Sequence, residues 1–149
     1  MKKIKVLMLI LSVFLIVGCG EENKVVVMPR EFLEISKNLG HSVEDYTSSF
    51  AYSDASYLIS TNNFYVLYVK GKKKHDIEGL FLDECKNIYN TAQEGYKEKT
   101  GGSDNWLSLE VKDSKNYYYA VYVEDTYINI KTDIANEDKA KELIEKLGY

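Results

Sequence analysis

The chain has 149 residues, of which 45% are hydrophobic and 28% are charged, so its length and composition suit one globular domain. With 19 basic and 23 acidic side chains, its net charge is −4. A protein that binds nucleic acid needs a basic face, so this balance argues against nucleic acid as a partner.

The first feature in chain order is a short apolar segment with a basic start. Lys2, Lys3 and Lys5 precede an apolar run from Val6 to Val17 that only Ser12 interrupts. A transmembrane helix needs about 20 apolar residues, so this run has the shorter length that is typical of a signal peptide. We therefore expect an N-terminal signal helix.

The apolar run ends in Ile16-Val17-Gly18-Cys19, which resembles the lipobox of bacterial lipoproteins. The resemblance implies that residues 1–18 are a signal peptide, cut between Gly18 and Cys19, and that the Cys19 thiol carries a diacylglyceryl group. It also implies that the protein is held by this covalent lipid on the outer, extracytoplasmic face of the cell membrane, with no other cofactor. An uncleaved signal anchor and an ordinary secreted protein cut elsewhere are the alternatives.

Cleavage at this position would change both the charge and the cysteine content. Removing Lys2, Lys3 and Lys5 leaves 16 basic and 23 acidic side chains, a net charge of −7. The lipid rather than the charge of the protein would then hold it at the membrane. Cys85 would have no cysteine left to pair with, and its place on the apolar stripe of a predicted helix indicates a buried, unreactive thiol.

Residues 19–28 are predicted to form the lipidated Cys19 and a short tether, and residues 29–149 a single α+β domain. Apolar residues at helical spacing indicate helices, and short alternating runs indicate strands. The predicted elements are a helix at 29–39, strands at 56–60 and 64–70, a basic loop at 72–75, a helix at 76–94, a loop at 98–105, strands at 106–112, 117–123 and 126–131, and a helix at 136–147. The order α-β-β-α-β-β-β-α after the signal helix favours an antiparallel sheet with the helices packed on one face.

The register of the last three strands can be predicted from their turns. The two-residue turn at 124–125 sets Tyr122 opposite Tyr127. A three-residue turn at 113–115 would direct the apolar residues of the preceding strand toward the helices and bring Trp106 opposite Tyr122. An aromatic row would then lie on the face of the sheet turned away from the helices.

This row and its neighbours are the candidate binding face, which consists of Trp106, Tyr118, Tyr122, Tyr127, Asn129 and Lys131. Tyrosine and tryptophan on an open sheet can stack on sugars or contact a protein partner. Alternatively, the same side chains only stabilise the sheet by cross-strand pairing, or they are covered by Val25 to Val27.

Other chemistry-bearing residues form no recognisable catalytic set. His41 and His75 fall in predicted loops, and the basic loop that contains His75 could bind a phosphate beside a helix N-terminus. The sequence contains no zinc, nucleotide-binding or calcium-binding motif. We therefore expect a protein that is not an enzyme and that holds no metal.

Three further stretches resemble a group of small, uncharacterised lipoproteins of Gram-positive bacteria. They are Leu39 to Thr47, Glu124 to Ile128 and Lys146 to Tyr149. The resemblance implies no known activity. We expect a lipid-anchored domain that binds an envelope protein or glycan without catalysis. The alternative is an inhibitor or immunity protein that shields the cell envelope from a hydrolase.

Overall fold

The computed structural model describes residues 22–149, which form a seven-stranded antiparallel sheet and three helices. The predicted signal helix, Gly18 and Cys19 lie outside the described residues. The helices are α1 (Pro29–Asn38), α2 (Lys74–Thr91) and α3 (Glu137–Lys146). The strands are β1 (Glu44–Asp45), β2 (Ser53–Thr61), β3 (Phe64–Gly71), β4 (Lys97–Ser103), β5 (Trp106–Lys112), β6 (Asn116–Val123) and β7 (Thr126–Asp133).

The neighbouring strands in the sheet follow the order β1-β2-β3-β7-β6-β5-β4. The predicted α+β class with an antiparallel sheet is confirmed, but residues 22–149 form two strands more than predicted. β1 is a two-residue edge strand, and β4 forms where a loop was expected. None of the helices between residues 22 and 149 has the length and apolarity required to span a bilayer.

Helices cover both faces of the sheet, so the prediction that they pack on one face is wrong. α1 and α3 pack on one face, where Phe32 and Leu143 meet β3, β6 and β7. α2 packs on the other face through Ile77, Phe81 and Ile88. Successive side chains of a strand point to opposite faces, so a strand between two helical layers is apolar on both sides.

The register of the late strands is confirmed in one pair and wrong in the next. Tyr122 lies opposite Tyr127, as predicted. Trp106 lies opposite Val123 rather than Tyr122, a shift of one residue that turns every side chain of β5 to the other face. The shift arises in the turn after β5, where the Asp113 carboxylate accepts hydrogen bonds from the Lys115 and Asn116 N–H groups, both at 2.7 Å.

Both α1 and α3 end in a Leu-Gly-aromatic sequence that closes the helix in the same way. Gly40 and Gly148 have φ angles of +81° and +80°, a conformation that glycine adopts without strain. The next residue then donates its N–H back into the helix, from His41 to Ser36 and from Tyr149 to Ile144. The turn directs the Tyr149 ring toward the start of the described chain.

Candidate functional site

The predicted aromatic row is not an open surface. Tyr118, Tyr122 and Tyr127 lie on the face that α2 covers, and all three are buried. The Phe81 ring of α2 meets the Tyr122 ring edge-on at 5.3 Å. Trp106 is buried on the opposite face of the sheet, so it belongs to a different environment.

Part of the predicted face nevertheless lines a hollow of about 430 Å³ beside α2. Tyr118, Asn129 and Lys131 come from the predicted set, and the strand register brings them together. Lys131 lies opposite Tyr118 on β6 and opposite Tyr65 on β3. The full lining, called the hollow from here on, consists of Tyr65, Glu84, Asn87, Ile88, Thr91, Tyr118, Asn129 and Lys131.

Buried polar atoms at the hollow have no hydrogen-bond partner among the described residues. The Tyr118 hydroxyl and the Asn129 Oδ1 atom are both in this state. An unpaired buried polar group costs about 1–3 kcal/mol, so such groups are usually paired with protein, water or a ligand. Lys131 is exposed at the rim, with its Nζ atom 5.8 Å from the centre of the Tyr118 ring.

Glu84 supplies an acidic group on the helical side of the hollow. Burial raises the pKa of its carboxyl above the ordinary value, while Asn87, Asn129 and Lys131 act in the opposite direction. The Asn87 Nδ2 atom lies 3.5 Å from Glu84 Oε2. The hollow therefore combines a half-buried carboxyl, an amide, a phenol and an amine over a space that can hold a small molecule.

Sequence reasoning missed Glu84, Asn87 and Tyr65 because it placed α2 on the opposite face of the sheet. A helical-spacing signal was present, since Glu84 follows Phe81 by three residues and precedes Ile88 by four. An acidic residue beside the buried stripe of a helix lies at the edge of the surface on which the helix packs. The signal becomes useful only once the face that α2 covers is known.

The second feature is the segment of residues 22–28, called the strap from here on, which lies against the sheet and α3. The Asn105 side chain binds both backbone groups of Lys24, in the middle of the strap. The Lys24 N–H donates to Asn105 Oδ1 at 3.2 Å, and Asn105 Nδ2 donates to the Lys24 carbonyl at 2.8 Å. Near its end, the Val27 carbonyl accepts from the Tyr68 hydroxyl at 2.8 Å and the Val27 N–H donates to the Tyr149 hydroxyl at 3.1 Å. Residues 22–28 of the predicted tether therefore lie against the folded body.

Trp106 is held by the strap rather than presented to solvent. Its Nε1 atom donates to the Glu22 carbonyl at 3.0 Å, and the Lys24 amine lies 4.4 Å from the ring centre. A cation over an indole face is attracted by the ring quadrupole. Trp106 therefore holds the first residues of the strap in place.

The remaining sequence candidates are separate from the hollow lining. The His41 ring stacks on Phe64 at 5.1 Å, and burial, with Lys139 nearby, lowers its pKa. His75 is exposed and lies 3.1 Å from the Asp76 carboxylate.

Cys85 is buried, and burial raises the pKa of its thiol to about 12. Among residues 22–149, no group of three or more His, Cys, Asp or Glu side chains is placed to hold a metal ion.

Comparisons with known proteins add little to this picture. No protein-family model and no curated protein matches the chain. A solved structure of a GTP-binding regulator from Thermotoga maritima matches with a TM-score of 0.46 and 9% identity, over 76% of this chain and 82% of that chain. A likeness at this level carries no argument about function.

Proposed function

We propose that the protein is a lipid-anchored, extracytoplasmic binding protein whose ligand occupies the hollow. The anchor rests on the basic start, the apolar run and Cys19 in Ile16-Val17-Gly18-Cys19. The cell-membrane location and the lipidated Cys19 follow from the same pattern. The binding role rests on the hollow.

The observation that carries the binding role is the set of unpaired polar atoms at the hollow. Evolution tolerates few buried polar groups without partners, because each lowers stability. The Tyr118 hydroxyl and Asn129 Oδ1 atom sit beside the half-buried Glu84 carboxyl. A ligand that reaches these atoms after a small movement of the lining side chains, and offers them hydrogen bonds, would offset the cost of leaving them unpaired.

The lining favours a small polyhydroxylated ligand, such as a fragment of an envelope glycan. Glu84 and Asn129 offer acceptors, while Lys131 and the Tyr118 hydroxyl offer donors, so both roles of a sugar hydroxyl can be matched. Tyr65 adds an aromatic ring at the rim, and sugars present apolar C–H faces to such rings. The concave form of the hollow suits a small molecule better than a broad protein surface.

Binding without catalysis is the simplest use of these groups. The Cys85 thiol lies on the buried face of α2, and burial raises its pKa, so it stays protonated at neutral pH. A thiol is a nucleophile only as the thiolate. Lys131 and Glu84 are matched as a donor and an acceptor for hydroxyl groups, which is the chemistry of recognition.

The anchor is tested by the mass of the protein extracted from membranes. We expect the purified chain to start at Cys19 and to carry the mass of a diacylglyceryl group, and a Cys19→Ala variant to lose both features. A membrane-extracted protein that still starts at Met1, or that has no lipid mass on Cys19, would overturn the anchor and leave the hollow to be tested on its own.

The hollow is tested by NMR titration of the full chain in detergent micelles with disaccharides from cell-wall glycans. We expect shifts of the amide signals around Tyr118 and Asn129, and a loss of affinity of at least tenfold in Glu84→Gln or Lys131→Gln. Lys37→Gln, an exposed lysine of α1 on the other face, is the matched control and should bind like the parent. Shifts confined to residues outside the hollow would contradict the proposal.

A further inference from the structure

The strap leaves very little free chain between the fold and Cys19. The first residue of the strap that the body holds is Glu22, through its carbonyl and the Trp106 indole. Gly20 and Glu21 alone separate Glu22 from Cys19. Three residue steps span about 10 Å at full extension, so an acyl chain on Cys19 would keep this part of the fold within that distance of the head groups.

Several turns of the fold meet at the same end of the sheet as the strap. Asn105, which holds Lys24, lies in the turn between β4 and β5 and accepts a hydrogen bond from the Glu124 N–H at 2.9 Å. Glu124 and Asp125 form the turn between β6 and β7, and the Asp125 carbonyl accepts a hydrogen bond from the Gly71 N–H at 2.8 Å. The loop between β3 and α2 therefore adjoins this end as well. We call the surface formed by the strap, these two turns and this loop the strap end.

From these observations we infer that the strap end is a membrane-contacting surface that rests on phospholipid head groups. The inference rests on the proposed lipid anchor. It adds an orientation, because the domain sits with this end down instead of swinging freely on a tether. The opposite end, with the turn between β5 and β6, then faces away from the bilayer.

The exposed side chains of the strap suit a bilayer interface. Val25 is 83% exposed and Met28 is 53% exposed, and with Tyr46 they are the large hydrophobic side chains left exposed among residues 22–149. Two of the three therefore lie within nine residues of the lipidation site. The transfer of an apolar side chain from water to the boundary between head groups and acyl chains lowers its free energy.

The charges of the strap end do not oppose this contact. Lys72 and Lys73 are exposed in the loop between β3 and α2, where they can meet lipid phosphates. The nearby Asp125 carboxylate pairs with Lys70, and Glu124 lies 3.8 Å from Lys74. Glu22 and Asp104 are also exposed here, so the surface is close to neutral and its contact depends on the lipid and the apolar side chains.

The test places a fluorescent label at single positions of the lipidated full chain. Val25→Cys, Met28→Cys and Lys115→Cys variants are purified from membranes and reconstituted in vesicles of phosphatidylcholine and phosphatidylglycerol that carry a spin-labelled lipid. Lys115 is the matched control, because it is exposed in the turn between β5 and β6 at the opposite end. Cys85 is buried, and the parent chain serves as the labelling blank.

We expect quenching by the spin-labelled lipid to be several-fold stronger at positions 25 and 28 than at position 115. Equal quenching at the three positions, or stronger quenching at 115, would overturn the inference. Vesicle flotation separates this outcome from failure of the anchor: protein that does not float has no anchor, whereas protein that floats with equal quenching has an anchor but no fixed orientation.

A longer connection tests whether the strap imposes the orientation. A flexible Gly/Ser segment is inserted between Glu21 and Glu22, which leaves the strap itself intact. We expect the difference in quenching between positions 28 and 115 to fall several-fold, because the domain can then leave the head groups and rotate. An undiminished difference would contradict the role given to the short connection.

Discussion

Tyr68 shows how a single buried side chain fastens the strap to the sheet. Its ring stacks on Phe32 of α1 at 4.6 Å, and its hydroxyl donates to the Val27 carbonyl at 2.8 Å. Burial also raises its pKa far above the ordinary value, so the hydroxyl stays protonated and available as a donor. One residue of β3 therefore holds both the first helix and the strap.

A Tyr68→Phe substitution should lower the free energy of unfolding by about 1–3 kcal/mol, because it leaves the Val27 carbonyl without this donor in a buried position. Urea denaturation followed by circular dichroism measures the change. Tyr46→Phe, at a tyrosine that is 41% exposed, is the matched control and should alter the midpoint little. Equal midpoints for the two variants would show that the bond adds nothing to stability.

Asp113 plays a comparable role in the turn between β5 and β6. Burial alone would raise the pKa of its carboxyl, but N–H groups of Gln93, Lys115 and Asn116 donate to it and hold the pKa below the ordinary value. Because the folded-state pKa is the lower one, the charged form stabilises the fold above the unfolded-state pKa. That stabilisation is lost as the pH falls through the folded-state pKa.

Asp113→Asn should therefore be less stable than the parent at pH 7, by about 1–3 kcal/mol, with the difference shrinking as the pH falls below about 4. Urea midpoints of both proteins at pH 7 and pH 3 measure this. Asp54→Asn, at an exposed aspartate of β2, is the control. A difference between parent and Asp113→Asn that stays constant with pH would show that shape rather than charge is responsible.

At the scale of the elements, the sequence predicts what local patterns can specify. Pro29 and Gly40 bound α1 as predicted, and Ile77, Phe81, Cys85 and Ile88 form the buried stripe of α2. A stripe shows which side of a helix is buried but not which face of the sheet it covers. That choice depends on the path of the chain in three dimensions.

The register of β5 could not be predicted for a related reason. β6 is buried at nearly every position, so its apolar pattern does not alternate and cannot tell one face from the other. The turn between β6 and β7 did specify the register of these two strands, so Tyr118, Asn129 and Lys131 were predicted on one face, and all three line the hollow. The shifted register of β5 and the misplaced α2 explain why Trp106 was added to the candidate site and Glu84 was missed.

β4 was missed because an exposed edge strand has no apolar pattern to reveal it. Its residues are exposed or half-buried, and it contains Gly101 and Gly102. The position of the Trp106 ring explains why residue 101 is a glycine, since a Cβ atom there would lie 2.9 Å from Trp106 Cη2 and 3.1 Å from Ser108 Oγ. The ring cannot easily move away, because the strap holds its Nε1 atom.

Gly101→Ala should therefore destabilise the fold by about 1–3 kcal/mol and shift the emission of the single tryptophan. Gly79→Ala is the contrasting variant: its Cβ would meet nothing within 4 Å, and alanine in a helix interior gains about 0.5–1 kcal/mol over glycine. Urea denaturation with fluorescence detection measures both. A Gly101→Ala variant as stable as the parent would show that Trp106 can move.

At the scale of the whole molecule, the strap unites parts that are far apart in the chain. It contacts β3 through Tyr68, the turn between β4 and β5 through Asn105, and the chain end through Tyr149. Val27 is buried among α1, α3 and the sheet. A segment with so many partners is part of the fold, so the proposed anchor at Cys19 would be joined to the core of the domain and not to a loose end.

Two shortened chains that both lack Cys19 should separate this structural role from that of the proposed anchor. A chain that starts at Met28 loses the buried Val27 side chain, worth about 2 kcal/mol, and the two tyrosine hydrogen bonds, worth about 1 kcal/mol each. A chain that starts at Glu22 keeps them all. We expect the shorter chain to unfold at a clearly lower urea concentration and its Trp106 emission to move to longer wavelength, because Glu22 and Lys24 no longer cover the indole. If both chains had the same midpoint and emission, the strap would be a passive tether, and the domain would have no reason to hold one orientation on the membrane.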